Sequence, residues 1–303
     1  MAGTVNPVLD VGRLRLLREV ELRGSITAAA RELGLTPSAV SQQLAILERE
    51  AGTPLLDRSP RGVLLTGAGQ ALVARARSIL ELLEEARADL DRLTGELSGR
   101  VRIGTVASAA ATLVSEAATR LAEHAALELT VTVVEPARSI DQLLDGDLDI
   151  AVVDVYDGVP VPVPDYLVSV DLTTEPLVVV SAPEALPGRG ELKLAALSEA
   201  HWVMPPLDAA CGRAVRFACR AEGFEPRVRW ETDDMLLLVR AVAAGHGIAV
   251  LPRLAVADNV AEIEIRPLTG PSMNRRLLAL TRSSSQDRPI IRATLDELVK
   301  ATG

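Results

Sequence analysis

Aromatic residues are scarce in this 303-residue chain: two Trp, two Tyr and two Phe, 2% of the total. All lie at or beyond Tyr156, so the first half offers no flat ring on which an unpaired base could stack. That argues against single-stranded DNA or RNA as the partner. Two cysteines exclude a disulfide framework. The three histidines, His124, His201 and His246, share no metal-ligand spacing with acids or cysteines. No phosphate loop or nucleophile elbow occurs, and Gly245-His246-Gly247 lacks the third glycine and following helix of a dinucleotide loop. The expectation is no catalytic residue, no metal and no cofactor. No hydrophobic run approaches a membrane span, and Met1 to Pro7 lacks the basic-then-apolar pattern of a signal peptide. A cytoplasmic protein with no membrane partner is expected.

With 48% hydrophobic residues there is chain enough for two or three domains. The net charge of −9 is an average. Residues 1–66 carry eight arginines, at 13, 15, 18, 23, 31, 49, 58 and 61, against seven acids, so the acidity lies further on.

Residues 25–48 predict two short helices meeting at a tight turn. Ile26, Ala29, Ala30 and Leu33 share one side at helical spacing, with alanine where a second helix must come close. Gly34 suits the left-handed position past a helix end. Thr36 is a natural N-cap, with Pro37 at the first helical position. The second helix turns Val40, Leu44 and Leu47 inward and Ser38, Gln42, Ala45 and Arg49 outward, with Ser41 at the margin. A small, polar outer face is what a helix needs to read the major groove. Packed helix pairs also occur in ordinary bundles, but the next segment of chain favours the DNA reading. Residues 55–66 form two short apolar strands around Ser59-Pro60-Arg61-Gly62, a hairpin or wing that puts Arg58 and Arg61 beside the reading helix.

In order and spacing, these segments resemble the winged helix-turn-helix of LysR-type transcriptional regulators. The matching segments are Leu14 to Leu22, Gly24 to Ala30, Pro37 to Leu44, Leu47-Glu48 and Arg61-Gly62-Val63. The resemblance implies double-stranded DNA as partner, an operator with dyad symmetry, and contacts from Thr27, Thr36, Pro37, Ser38, Ser41, Gln42, Arg58 and Arg61. It also implies RNA polymerase as a partner if the protein activates. Two departures stand out: Leu56 where the family usually has Phe, and Gln42 where many members carry Arg. Gln pairs best with adenine and Arg with guanine, so base preference should differ.

Residues 67–97 carry a heptad seam: Leu72, Ala76, Ile79, Leu83, Ala86, Leu90, Leu93 and Leu97 repeat at alternating steps of four and three. Charged residues fill the other faces and no proline interrupts. A helix of roughly 45 Å is too long for a small domain to cover, so the seam predicts dimerisation, through Leu72, Ile79, Leu83, Leu90 and Leu93. Family resemblance extends this to a homodimer or homotetramer.

From Gly99 short apolar strands alternate with helices. Strands are expected at 100–106, 129–134, 149–153, 177–181, 202–204, 228–231, 248–251 and 277–280. Helices are expected near 109–124, 139–145, 209–222, 233–244 and 289–301. Such alternation predicts parallel sheets covered by helices, an α/β class behind the all-α winged head and the long linker helix. The proline-rich stretch 158–164 reads as a stiff surface connection. Val101 to Gly104, Gly146 to Ala151, Ala221 to Pro226 and Ala243 to Pro252 resemble the family's effector domain, a two-lobed, periplasmic-binding-protein-like body. By that resemblance lobe I is about 99–170 plus 270–303 and lobe II about 171–269, with a small-molecule effector in the cleft. Ser108, Arg138, Ser139, Thr232 and Asp233 fall at strand-to-helix junctions and are the effector candidates. Helix N-termini there would favour a polar or anionic ligand.

Cys211 and Cys219 lie where peroxide-sensing relatives carry their redox pair. Here they sit on one predicted helix, roughly 12 Å apart and beyond disulfide reach. Buried small apolar residues are the expectation, with a thiol-switched regulator as the alternative reading. His246 is expected to be partly buried. A solute-binding protein would share the α/β body but lack the helix-turn-helix and need an export signal.

Overall fold

Asp10 opens the first helix, α1 (Val11–Arg23), by accepting a hydrogen bond from the Arg13 N–H at 3.0 Å. Ser25 caps α2 (Ile26–Glu32), and Thr36 caps α3 (Pro37–Ala51), with Pro37 in its first turn. Gly34 between them has φ +64°, the left-handed conformation expected of it. A computed structural model provides the fold, and it describes residues 8–59, 62–94, 97–159, 161–256, 262–270 and 273–302. Strands β1 (Leu56–Ser59) and β2 (Gly62–Leu65) pair antiparallel as the wing. Helix α4 (Gly67–Thr94) follows. Leu14, Leu17, Val20, Ala29, Ala30, Val40, Leu44 and Leu47 form one core with Leu55, Leu56, Val73 and Ala76. A Cβ on Gly69 would lie 2.2 Å from the Leu55 carbonyl oxygen, so only glycine lets α4 start this close to the wing.

The heptad seam is therefore divided. Ala76 is buried in the head's own core and Leu72, partly buried, packs against it. Beyond them Ile79, Leu83 and Leu90 are exposed at 37%, 48% and 57%. The side chain of Leu93 lies outside the described residues.

The chain divides into two units after Leu90. In the second, β3 (Gly99–Thr105) leads into α5 (Ala107–Ala109), a π-turn at Ala110–Val114 and α6 (Ser115–Leu121). Next come β4 (Leu127–Val133), α7 (Pro136–Leu144), β5 (Ile150–Tyr156) and the long β6 (Leu167–Ser181). Then follow β7 (Leu192–Lys193), β8 (His201–Met204), α8 (Ala210–Ala221), β9 (Arg227–Glu231) and α9 (Met235–Ala243). The chain ends with β10 (Ala249–Pro252), β11 (Glu264–Thr269), β12 (Asn274–Arg282) and α10 (Pro289–Lys300).

The wholly parallel sheet is corrected. β3 pairs parallel with β4 and β5, β8 with β9 and β7 with β11. However, β12 runs antiparallel to both β5 and β6, and β6 antiparallel to β10 and β11. The reason is the double crossing. β6 pairs with β12 over Leu167–Pro176, then continues into a different partnership with β10 and β11 over Leu177–Ser181, and β12 carries the chain back. Residues 171–175 thus pair with β12, and β6 changes partners at Pro176. Lobe I has a core on each sheet face, one under α10 and the 107–121 helix, the other under α7. Lobe II has its own around Trp202, Val215 and Val242.

Candidate nucleic-acid interface and inter-lobe cleft

Burial of Val40, Leu44 and Leu47 fixes which way α3 faces. Gln42, Ala45 and Arg49 are left exposed, with Thr36, Pro37 and Ser38 at its N-terminus and Ser41 half-buried. Thr27 is exposed near the start of α2. The Thr36 hydroxyl accepts from the Ala39 N–H at 3.2 Å and lies 3.1 Å from the Ser38 hydroxyl. Two ion-paired or charge-assisted ties hold this face rigid. Arg13 on α1 donates to Glu50 at 2.6 and 3.1 Å and to Gln43 at 3.1 Å. Glu48 accepts from the backbone N–H groups of Leu55 and Leu56 at 2.9 and 3.1 Å, pinning the wing to the end of α3. Arg58 lies on β1, its side chain outside the described residues, as is Arg61 altogether.

In the second unit Ser108, only 8% exposed, accepts from the Arg275 guanidinium at 2.6 Å. Arg275, from β12, is 2% exposed and donates Nε to Glu175 at 2.8 Å, with a second, shorter bond from Nη2. Glu175, from β6, accepts in turn from the Leu254 N–H at 2.6 Å. Burial alone would lower the pKa of Arg275; its neighbours Tyr156, Glu175 and Asp154 outweigh that and raise it. On β5 the Tyr156 hydroxyl donates to Asp154 at 2.9 Å, and Arg275 lies 3.9 Å from the same carboxylate oxygen. Burial pushes the Asp154 carboxyl above its ordinary range and the Tyr156 phenol well above its own. Lobe II meets this cluster through α8, since Cys211 adjoins both Asp154 and Tyr156. Glu135, just before α7, is also raised, by burial first and then by Asp154 and Asp233, with Arg213 pulling the other way.

The expected effector residues fare unequally. Ser108 lies in this cluster, and Asp233 acts on it through Glu135. Thr232 is half-buried, its hydroxyl accepting from the Asp234 N–H at 3.1 Å. Arg138 is exposed on α7. Ser139 needs correction. It has no exposed surface, because α7 starts at Pro136 and the serine falls a turn inside it, packed against Gly104. Sequence reasoning does not single out Glu135, Asp154, Tyr156, Glu175, Arg213 or Arg275. One signal is present: Asp154 is a lone acid in the apolar run Ile150–Tyr156.

Both cysteines are buried on α8 and outside any disulfide, each thiol pushed up to about 12, chiefly by burial. A thiol held protonated is a poor nucleophile, which disfavours the redox-switch alternative. His246 is not partly buried as expected: it is exposed and stacks on Trp230, ring centres 4.8 Å apart. Among the described residues no group of His, Cys, Asp or Glu could hold a metal ion, and no helix is long and apolar enough to cross a membrane. A cavity of about 500 Å³ lies on lobe I by Arg120, His124 and Lys300. Another, of about 140 Å³, lies between Tyr156, Leu177, Phe217 and Met273. Neither is lined by the Asp154 carboxylate.

Residues 11–70 match the family described as bacterial regulatory helix-turn-helix protein, lysR family, and residues 94–303 match the LysR substrate binding domain. The nitrogen assimilation regulatory protein nac of Klebsiella aerogenes is 31% identical over 249 residues, covering 82% of this chain and 79% of that protein. The small neutral protease regulatory protein of Streptomyces coelicolor is 31% identical over 276 residues, covering 88% and 85%. A full-length OxyR variant from Pseudomonas aeruginosa shares the fold with a TM-score of 0.73 at 20% identity, covering 97% of this chain and 95% of that one. CbnR bound to its target DNA does so with a TM-score of 0.57 at 20% identity, covering 97% and 100%. With both halves matched in order, the chain belongs to the LysR family of transcriptional regulators, joining a helix-turn-helix DNA-binding domain to a two-lobed effector-binding domain.

Proposed function

We propose that this regulator binds a dyad-symmetric operator in duplex DNA as a homodimer or a pair of dimers, and that a small effector held between its lobes changes how it sits there. The effector is bound and released chemically unaltered, so the protein is not an enzyme. The observation that carries the DNA reading is the outward face of α3, polar and exposed above a fully apolar inner face. Gln42 is assigned to a base edge, Thr27, Thr36, Pro37, Ser38 and Ser41 to the groove wall and backbone, and the wing arginines Arg58 and Arg61 to phosphate or minor groove. The exposed Ile79, Leu83 and Leu90, with Leu93, are assigned to the dimer seam. Ser108, Thr232, Asp233 and Arg138 are the effector contacts; Ser139 is dropped from that set. The protein acts in the cytoplasm, and where it activates, RNA polymerase is a further partner.

A gel-shift assay on the fragment upstream of its own gene tests this. Gln42→Ala is expected to lose discrimination at one base position by ~1–3 kcal/mol, while Arg61→Ala weakens all sites alike and lowers the salt slope. Binding indifferent to both changes would remove α3 and the wing from the interface.

A further inference from the structure

The chain crosses between its lobes twice, and the cavity of about 140 Å³ lies against both crossings. Its floor is buried: Tyr156 from the end of β5, Leu177 where β6 has changed partners, and Ala214 and Ala218 of α8. Hydrogen bonds hold the crossing strands together beside it. The Leu177 N–H donates to the Met273 carbonyl at 2.9 Å, and the Asp157 N–H to the Asn274 carbonyl at 3.1 Å. Met273 and Asn274 line the cavity as well. Lobe I thus supplies one wall, through the ends of β5 and β12, and lobe II the other, through α8. None of the effector candidates Ser108, Arg138, Thr232 and Asp233 lines it.

Protein interiors are close-packed, so an apolar space is ordinarily filled by the chain's own side chains. Phe217, the largest wholly apolar side chain of the lining, does not fill this one. Its ring is 55% exposed and sits against Gly158, where an added Cβ would come within 2.6 Å of it. Phe217 therefore stands at the edge of the cavity. Asp157, Gly158 and Ala221 are exposed there too, which leaves the space open to solvent. Water is a poor occupant, because it needs several polar partners. The polar side chains of the lining are engaged already: Tyr156 donates to Asp154, and Asp157 accepts from the backbone N–H and Nδ2 of Asn274 at 3.0 and 3.2 Å. An apolar cavity of about 150 Å³ takes up benzene, so the volume here matches one six-membered ring. Phe217, Tyr156 and the Met273 thioether offer the contacts that aromatic rings favour. Asp157 is the only charged residue of the lining, so a carboxylate on that ring would meet a like charge and no cation.

We propose that the protein has a further ligand site at the crossing between its lobes, apart from the effector candidates at the helix N-termini, and that it takes a neutral compound of one aromatic ring. A ligand there touches β5 and β12 of lobe I and α8 of lobe II at once, so its affinity changes with the angle between the lobes, and its binding shifts that angle in return. The consequence for DNA rests on the operator reading above; ligand binding itself rests on the cavity alone.

The test uses the full-length protein, with phenol and toluene as neutral probes and benzoate as the same ring carrying a charge. Binding is followed by titration calorimetry and the DNA response by footprinting. Both neutral probes are expected to bind in preference to benzoate. Ala218→Leu, which fills the floor, should abolish their binding and raise the melting temperature of the free protein, as filling a cavity does. If that variant does not fold, Phe217→Ala, at an exposed position, should weaken binding by about tenfold through loss of one ring contact. No binding of either neutral probe, or equal binding in wild type and both variants, would overturn the site. Benzoate bound as tightly as phenol and lost in Ala218→Leu would overturn the ligand class. A footprint that phenol alters in wild type and leaves alone in Ala218→Leu supports the coupling, and one unaltered in both would overturn it. A protein that binds no duplex would defeat the operator reading, while calorimetry would still decide whether the site exists.

Discussion

Arg275 is 2% exposed, and its guanidinium is divided between Glu175, Ser108 and, at 3.9 Å, Asp154. Removing one partner of a buried pair strands the other charge out of water, at a typical cost of about 3–5 kcal/mol. Glu175→Gln should therefore lose about 3 kcal/mol in urea denaturation, the lower end, because Asp154 stays nearby. A loss below about 1 kcal/mol would mean the pair behaves as a solvated surface bridge. Asp154 and Glu135 bear on pH in a definite direction. Both carboxyls are raised in the fold, chiefly by burial, so the folded state holds their protons more tightly than the unfolded chain. Their contribution to stability is full below the ordinary carboxylate range and is lost as pH rises through the raised values. The melting temperature should fall across that window, and less steeply in Asp154→Asn; equal slopes in the two proteins would contradict the assignment.

At this scale the sequence is partly legible. The position of Ser108 at the start of α5 is legible because strand-to-helix junctions are recognisable locally. Ser139 is misplaced because Pro136 starts α7 earlier than the apolar spacing suggests. Arg275 and Glu175 are 100 residues apart, so only the fold reveals them as a pair.

Among the elements, α3 and α4 are the most directly legible in sequence. Thr36 and Pro37 define the start of α3, each by a local rule of backbone geometry. The seam of α4 is equally visible, but not that its first turns serve the head: Val73, off the seam, is fully buried with Ala76, while Leu83 and Leu90 stay exposed. Leu83→Glu with Leu90→Glu should therefore spare the head's core yet put like charges into an apolar seam. Sedimentation is expected to show a smaller oligomer and circular dichroism an unchanged fold; an unchanged oligomer would assign association elsewhere. β6 is recognisable only from Leu177 because its first part alternates buried and exposed residues, with Asp171 and Glu175 breaking the apolar run.

For the whole molecule, strand–helix alternation discloses the α/β class and the family resemblance implies two lobes, but neither discloses the antiparallel strands. Strand direction depends on how often the chain crosses between lobes, and the crossings at Pro176 and near Asn274 have no strong local signature. The grouping of charged residues around Glu135 is hidden for a similar reason. Its acids come from the ends of separate elements, Glu135 before α7, Asp154 in β5, Asp208 before α8 and Asp233 before α9. The central claim, a paired reading head on duplex DNA, is tested most directly by selecting binding sites from a random duplex pool with the purified full-length protein. Two identical heads on a two-fold axis predict an inverted repeat, its half-sites about one helical turn or a multiple apart. The same selection with Gln42→Ala should blur one position in each half-site. Recovery of no enriched duplex, or of a motif without dyad symmetry that Gln42→Ala leaves unchanged, would contradict the account.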